Sequence, residues 1–217
     1  QYAEAADIYE DYWDAWTGKA RMEKELHLYD EGEASYAKAI EANPDHENGY
    51  FGLGLLREAR GNIAGAEQIY REGLKHRKDS LPLAYRLALA RSRLAWPEAA
   101  EEWKRALELG GHLASVHEGY ASWLASVGKI EEARRETREA LRRDAGYLPA
   151  LCLAADLDEK LDRPFAAALA REKAFRRSRS PADWEALVSS AAKSPDYANR
   201  FRRLEDSLRE LLAPRAR

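Results

Sequence analysis

The chain has 217 residues, 45% hydrophobic and 34% charged, with one cysteine and a formal net charge of −3. A lone Cys152 excludes an intrachain disulfide framework and a cysteine-rich zinc site, and no apolar run approaches the ~20 residues that a bilayer span requires. The near-neutral balance also lacks the basic excess of a dedicated nucleic-acid binder.

At about 150 residues per domain the length corresponds to one or two domains. Leu, Ala, Glu and Arg dominate and β-branched residues are few, which favours helix on propensity. Charge is unevenly placed. Residues 1–60 hold 14 Asp and Glu against 6 Lys and Arg, whereas residues 171–217 hold 7 against 12. The chain is therefore acidic at its start and basic at its end, an asymmetry that bears on association.

In chain order, residues 1–12 read as the remnant of a preceding repeat or as an N-terminal capping helix, because Tyr2 and Ala5 continue a pattern seen later. Five two-helix segments follow, at 13–46, 47–80, 81–113, 114–147 and 148–181. Each is split by a turn signal, such as Gly61-Asn62, Ala95-Trp96-Pro97, Gly128-Lys129 or Asp162-Arg163-Pro164. Each is set off from the next by another, such as Asn43-Pro44-Asp45, Lys78-Asp79-Ser80, Gly110-Gly111 or Asp144-Ala145-Gly146. Pro97, Pro164 and Pro181 are predicted in first helical turns, where a missing N–H removes no intrahelical bond. Residues 182–217 read as a capping helix pair with a frayed tail from Pro214. Ser180 and Ser194 are its N-cap candidates.

A self-comparison fixes the register. Small residues recur at Gly32, Ala66, Ala99, Ala133 and Ala167, at steps of 34, 33, 34 and 34. Four residues beyond each comes a bulky column, Tyr36, Tyr70 and Trp103, which weakens to Thr137 and Arg171. Three further on lie Ala39, Gly73, Ala106, Ala140 and Ala174. This spacing places the small residues on one helical face, so neighbouring helices can approach closely. The weakened column predicts a softer C-terminal half, because stability in such arrays is close to a sum over neighbours.

The pattern Tyr50, Leu53, Gly54, Gly61, Ala66, Tyr70, Gly73 and Leu74, with the closing Asn43-Pro44-Asp45 of the preceding copy, resembles the tetratricopeptide repeat (TPR). The resemblance covers 13–181 and implies an all-α fold: a right-handed α-solenoid of about five helical hairpins plus a C-terminal capping helix pair. It implies that the first helix of each hairpin lines a concave, partner-binding groove. The family's groove columns fall on Asp14, Thr17, Arg21, Lys24 and Glu25 in the first copy, Asn48, Phe51, Leu55 and Glu58 in the second, and Tyr85, Leu89, Ser92 and Arg93 in the third, with Arg86 beside them. Later copies contribute Ser115, Glu118 and Ser122, then Cys152, Asp156, Glu159 and Lys160. An apolar centre with a polar rim suits a peptide or amphipathic helix, and Arg86 and Arg93 are candidates to anchor an acidic group. The family's clamp for a C-terminal carboxylate maps onto Thr17, Arg21, Gly52, Pro82 and Arg86. Only Arg86 has a suitable side chain, so a chaperone-tail receptor is not expected.

Catalysis finds no support in the sequence. There is no nucleophile-elbow motif and no phosphate loop. The five histidines are scattered; His112 and His117 read as ordinary loop or surface residues, and Cys152 as an inert, mostly buried thiol. No cofactor or metal is expected. The favoured reading is a non-catalytic protein-interaction scaffold. The alternatives are a homo-oligomer joining acidic and basic ends, an RNA-binding module using Arg171 to Arg179 and Arg200 to Arg203, or an appendage of a larger enzyme. An unpaired cysteine and no visible leader favour the cytoplasm, with a periplasmic setting as the alternative if a leader has been removed.

Overall fold

The structure is a computed structural model and describes residues 12–212. The expectations for residues 1–11, and for fraying from Pro214, lie outside the described residues. Within them there are twelve α-helices and no strand. In order they are α1 (Trp13–Glu25), α2 (Tyr29–Ala42), α3 (Glu47–Ala59), α4 (Ile63–His76), α5 (Leu81–Arg93) and α6 (Ala99–Gly110). Then follow α7 (Ala114–Ser126), α8 (Ile130–Arg143), α9 (Leu148–Lys160), α10 (Pro164–Ser178), α11 (Pro181–Ala192) and α12 (Pro195–Arg209), with a short 3₁₀ turn over Glu210–Leu212. The chain is an all-α helical-repeat solenoid whose helices group into two compact units, divided between Gly110 and Gly111.

Each hairpin turns through one left-handed residue in the same column: His27, Gly61, Ala95, Gly128 and Asp162, with φ between 54° and 81°. A left-handed residue ends a helix sharply, and the next begins two residues on, or four in the turn of Ala95. Asn62 caps α4 by accepting from the Gly65 N–H at 2.8 Å, and Ser80, Ser180 and Ser194 cap α5, α11 and α12 in the same way. Pro164 and Pro181 open their helices. Pro97 does not. It sits in the turn before α6, and the Ala99 and Ala100 N–H groups reach back to the Trp96 and Pro97 carbonyls at 3.1 and 3.4 Å.

In the first unit α1 packs on α2 and α3, α3 on α4 and α5, and α5 on α6. Ala66 and Ala99 are fully buried at the helix crossings, and the bulky column fills the space they leave. The Tyr36 ring lies against Gly52 so closely that a Cβ there would stand 2.2 Å from it, and Tyr70 closes on Gly54 at 2.1 Å. Tyr70 then joins Tyr50, Ala66, Leu74, Leu83, Ala84 and Leu87 in one core. Burying such side chains contributes about 1.5–3 kcal/mol each.

The second unit has a thinner centre and a dense end. Leu124, Ala133 and Leu157 form the small core of α7, α8 and α9. Phe175, Leu187, Tyr197, Phe201 and Leu208 form a larger one across α10, α11 and α12. The Glu172 carboxylate ties that end together, accepting from Arg176 Nε at 2.8 Å, the Tyr197 hydroxyl at 2.7 Å and Arg200 Nε at 3.1 Å. His117 is neither a loop nor a surface residue: it lies on α7, only 8% exposed. Its Nδ1 stands 2.8 Å from Glu136 Oε2 and its Nε2 3.0 Å from the Gly111 carbonyl.

Candidate functional site

Adjacent helices in both units are also joined by ion pairs that repeat. Arg57 on α3 donates to Glu33 on α2, and Arg91 on α5 donates to Glu67 on α4, each pair 24 residues apart. In the second unit the charges are exchanged, with Arg134 on α8 donating to Asp158 on α9 at 2.6 Å, again 24 residues apart. These bonds tie α3, α5 and α9, first helices that carry candidate groove residues, to the helix before each.

In the first unit Phe51, Leu55, Tyr85 and Leu89 are all half-buried. Phe51 packs its inner edge on the Tyr50–Tyr70 core. The Arg86 guanidinium stands over its ring at 5.8 Å, within reach of a cation–π contact. Tyr85 meets Trp103 edge-on at 5.5 Å, and Trp103 in turn donates from Nε1 to the Ser92 hydroxyl at 2.9 Å. The apolar centre therefore rests on a firm floor.

Arg86 and Arg93 are not free anchors. Both approach one carboxylate oxygen of Glu58, at 3.5 and 3.7 Å. The other oxygen of Glu58 accepts from the Tyr70 hydroxyl at 2.7 Å. Burial, reinforced by that hydrogen bond, pushes the Tyr70 phenol far above its ordinary value of 10.0, so it stays a donor across the physiological range. Two guanidiniums share one carboxylate, which leaves a local surplus of positive charge. Neither bond is short, and the Arg93 side chain is 56% exposed. An incoming carboxylate can thus join the cluster without first breaking a tight pair.

Arg21 and Lys24 lie on α1, outside this cluster. Arg21 is exposed, and Lys24 stands 3.7 Å from Glu25. Gly52, the central clamp position, has no room for a side chain because of Tyr36.

In the second unit several polar groove positions are already engaged, Ser122 donating to Glu118 at 2.7 Å. Asp156 accepts from Arg171, and Glu159 accepts from Ser190 at 2.8 Å and Lys193 at 3.1 Å. Cys152 is half-buried, and burial, followed by the nearby Asp183 charge, raises its thiol above the ordinary 9.0. A thiol held protonated is a poor nucleophile. Among the described residues no group of three or more His, Cys, Asp or Glu side chains could hold a metal ion, and no helix is long and apolar enough to cross a membrane.

Tyr70 and Trp103 are the contributors that a groove-column reading omits. They are marked in the sequence as the bulky column, but nothing there indicates that their polar atoms point back to Glu58 and Ser92.

No family model and no curated protein matches the chain. Solved structures do. YrrB, described as a TPR protein with an unusual peptide-binding site, superposes with a TM-score of 0.64 at 19% identity, covering 87% of this chain and 97% of YrrB. PilW, a type IV pilus biogenesis factor, gives 0.71 at 16% identity, covering 93% and 98%. TTC0263, a thermophilic TPR protein of Thermus thermophilus, gives 0.63 at 16% identity, covering 83% and 98%. At these identities the likeness is one of architecture: the chain has the fold of a tetratricopeptide-repeat protein.

Proposed function

We propose that the chain is a non-catalytic scaffold that binds a partner polypeptide along α3 and α5 of its first unit. The observation that carries this reading is the Phe51–Arg86–Glu58–Arg93 cluster. A half-buried aromatic ring lies beside an undercompensated pair of guanidiniums, and Leu55, Tyr85 and Leu89 are half-buried on the same two helices. Burial of these four apolar side chains supplies affinity, and the arginines fix direction by pairing with an acidic group. Arg21, exposed on α1, is a further candidate cation for the partner, whereas Lys24 already stands beside Glu25. The likeness to YrrB supports the reading only as an example of a peptide-binding site carried on this fold.

The test is a comparison of bound proteins between the wild-type chain and a Phe51→Ala/Leu55→Ala/Tyr85→Ala variant whose helicity is checked by circular dichroism. Partners retained by the wild type and lost by the folded variant support the groove. Identical sets of bound proteins exclude it. A second pair, wild type against Glu58→Gln, isolates the charge component. Removing the shared carboxylate should strengthen capture of an acidic partner, and weaker capture would show that Glu58 itself makes the contact.

A further inference from the structure

A trough with a volume of about 220 Å³ lies wholly within the second unit, between α8, α9 and α10. Its origin can be traced residue by residue. The three repeat steps that carry Tyr36 to Thr137 add to 101 residues, and the same step carries Tyr50 to Leu151, Leu53 to Ala154 and Ile69 to Ala170. In the first unit the larger members of these four pairs fill the gap between successive hairpins, where Tyr36 and Leu53 are buried and Ile69 packs against them. In the second unit all four positions are smaller, and the space remains open. Leu141 and Leu169 line the rest of it.

The rim changes along with the floor. At the equivalent offset Ala37 becomes Arg138 and Glu72 becomes Lys173. Both cations are exposed at the trough, and neither has an ion-pair partner among the described residues. Arg134 also lines it, but Asp158 already neutralises that guanidinium. The result is an apolar slot with two uncompensated positive charges at its edge.

We infer that this trough is a second docking site, which takes an acidic polypeptide segment presenting a large aliphatic or aromatic side chain. That side chain supplies the volume that Tyr36, Tyr50, Leu53 and Ile69 supply in the first unit, while flanking carboxylates pair with Arg138 and Lys173. The volume suits it: a cavity of about 150 Å³ accepts benzene, so the trough admits one aromatic or one to two aliphatic side chains. Both charge and shape complementarity point to the same occupant.

The experiment titrates the ¹⁵N-labelled full chain with a blocked octapeptide in which leucine and phenylalanine are flanked by glutamates and aspartates. A control peptide replaces every acid by its amide, and decanoate serves as a non-peptide amphiphile. Saturable amide shifts in α8, α9 and α10 are expected with the acidic peptide. Affinity should fall at least tenfold for the amide peptide and for the Arg138→Glu/Lys173→Glu variant. Ala154→Leu, which refills the slot, should abolish the shifts. Equal binding of acidic and amide peptides, shifts confined to other helices, or saturation by decanoate without any response to the peptide would each overturn the inference. The rim variant changes only exposed side chains, so it remains decisive even if Ala154→Leu perturbs folding.

Discussion

Arg91 on α5 donates from Nε and Nη2 to one oxygen of the Glu67 carboxylate, at 3.1 and 2.9 Å, and Glu67 is only 1% exposed. Arg57 makes the same pair of bonds to Glu33, at 2.9 and 2.5 Å, but the side chains there are 25% and 32% exposed. One geometry thus occurs in two dielectric settings. Breaking a buried pair leaves an uncompensated charge and costs about 3–5 kcal/mol, whereas surface pairs are worth about 0–1 kcal/mol. Arg91 keeps a second partner in Glu102 at 2.8 Å, so Glu67→Ala should cost about 3 kcal/mol, the lower end of that range. Glu33→Ala should cost less than about 1 kcal/mol. Urea denaturation followed by tryptophan fluorescence measures both, and equal losses would contradict the difference in burial.

Ala66 and Ala133 are fully buried at helix crossings. Ala66→Leu and Ala133→Leu should each destabilise by about 1–3 kcal/mol through overpacking. The exposed Glu131→Ala should stay within about 0.5 kcal/mol of wild type. An unchanged denaturation midpoint in Ala133→Leu would contradict the packing register.

Ala95 and Asp162 adopt φ of 55° and 54°, where Gly61 and Gly128 stand in two of the other turns and His27 in the third. A left-handed non-glycine residue costs about 1–2 kcal/mol, partly offset by the freedom that glycine gains when unfolded. Ala95→Gly and Asp162→Gly should therefore each stabilise by about 0.5–1 kcal/mol, with Gly61→Ala acting in the opposite direction. Thermal melts test the sign directly.

Burial opposes ionisation of Glu172, but hydrogen bonds from Arg200, Tyr197 and Arg176 outweigh it and hold the carboxyl below its ordinary value of 4.5. A group with a depressed folded pKa contributes stability that is complete well above its unfolded pKa and is lost as pH falls through the folded one. Glu172→Gln should be less stable than wild type at pH 7, and the gap should close on acidification below 4.5. A gap that is constant with pH would show that the carboxylate charge contributes nothing.

The cores of the two units also differ in how much they bury. Around α7 and α8 the buried side chains include Val116, Leu124, Ala133 and Ala140, and Thr137 occupies the bulky column with its hydroxyl donating to the Ala133 carbonyl at 2.8 Å. Amides of residues 114–143 should exchange faster than those of 47–107, as hydrogen exchange by mass spectrometry would show. The reverse order would refute the link between column size and local stability.

Much of this architecture was legible in the sequence because repeat columns record packing. Gly32, Ala66, Ala99, Ala133 and Ala167 must be small wherever two helices cross, so their spacing reveals the hairpins. Polar geometry is not recorded in that way. Arg86 and Arg93 read as open anchors because nothing in their spacing shows Glu58 lying between them. His117 read as a surface residue because its partners, Glu136 and the Gly111 carbonyl, are brought to it by the fold. Pro97 read as a helical residue because the repeat containing it is one residue shorter, and the shortening is absorbed in the turn before α6.

The exchanged polarity of Arg134 and Asp158 acts as an address label. A second helix carrying Glu67, placed before a first helix carrying Asp158, would set carboxylate against carboxylate, and Arg134 before Arg91 would set guanidinium against guanidinium. Modules from the two ends of this array are therefore not interchangeable. A joint that mixed the two polarities would bring like charges together, whereas the Glu33–Arg57 and Glu67–Arg91 joints share one polarity and are compatible with each other.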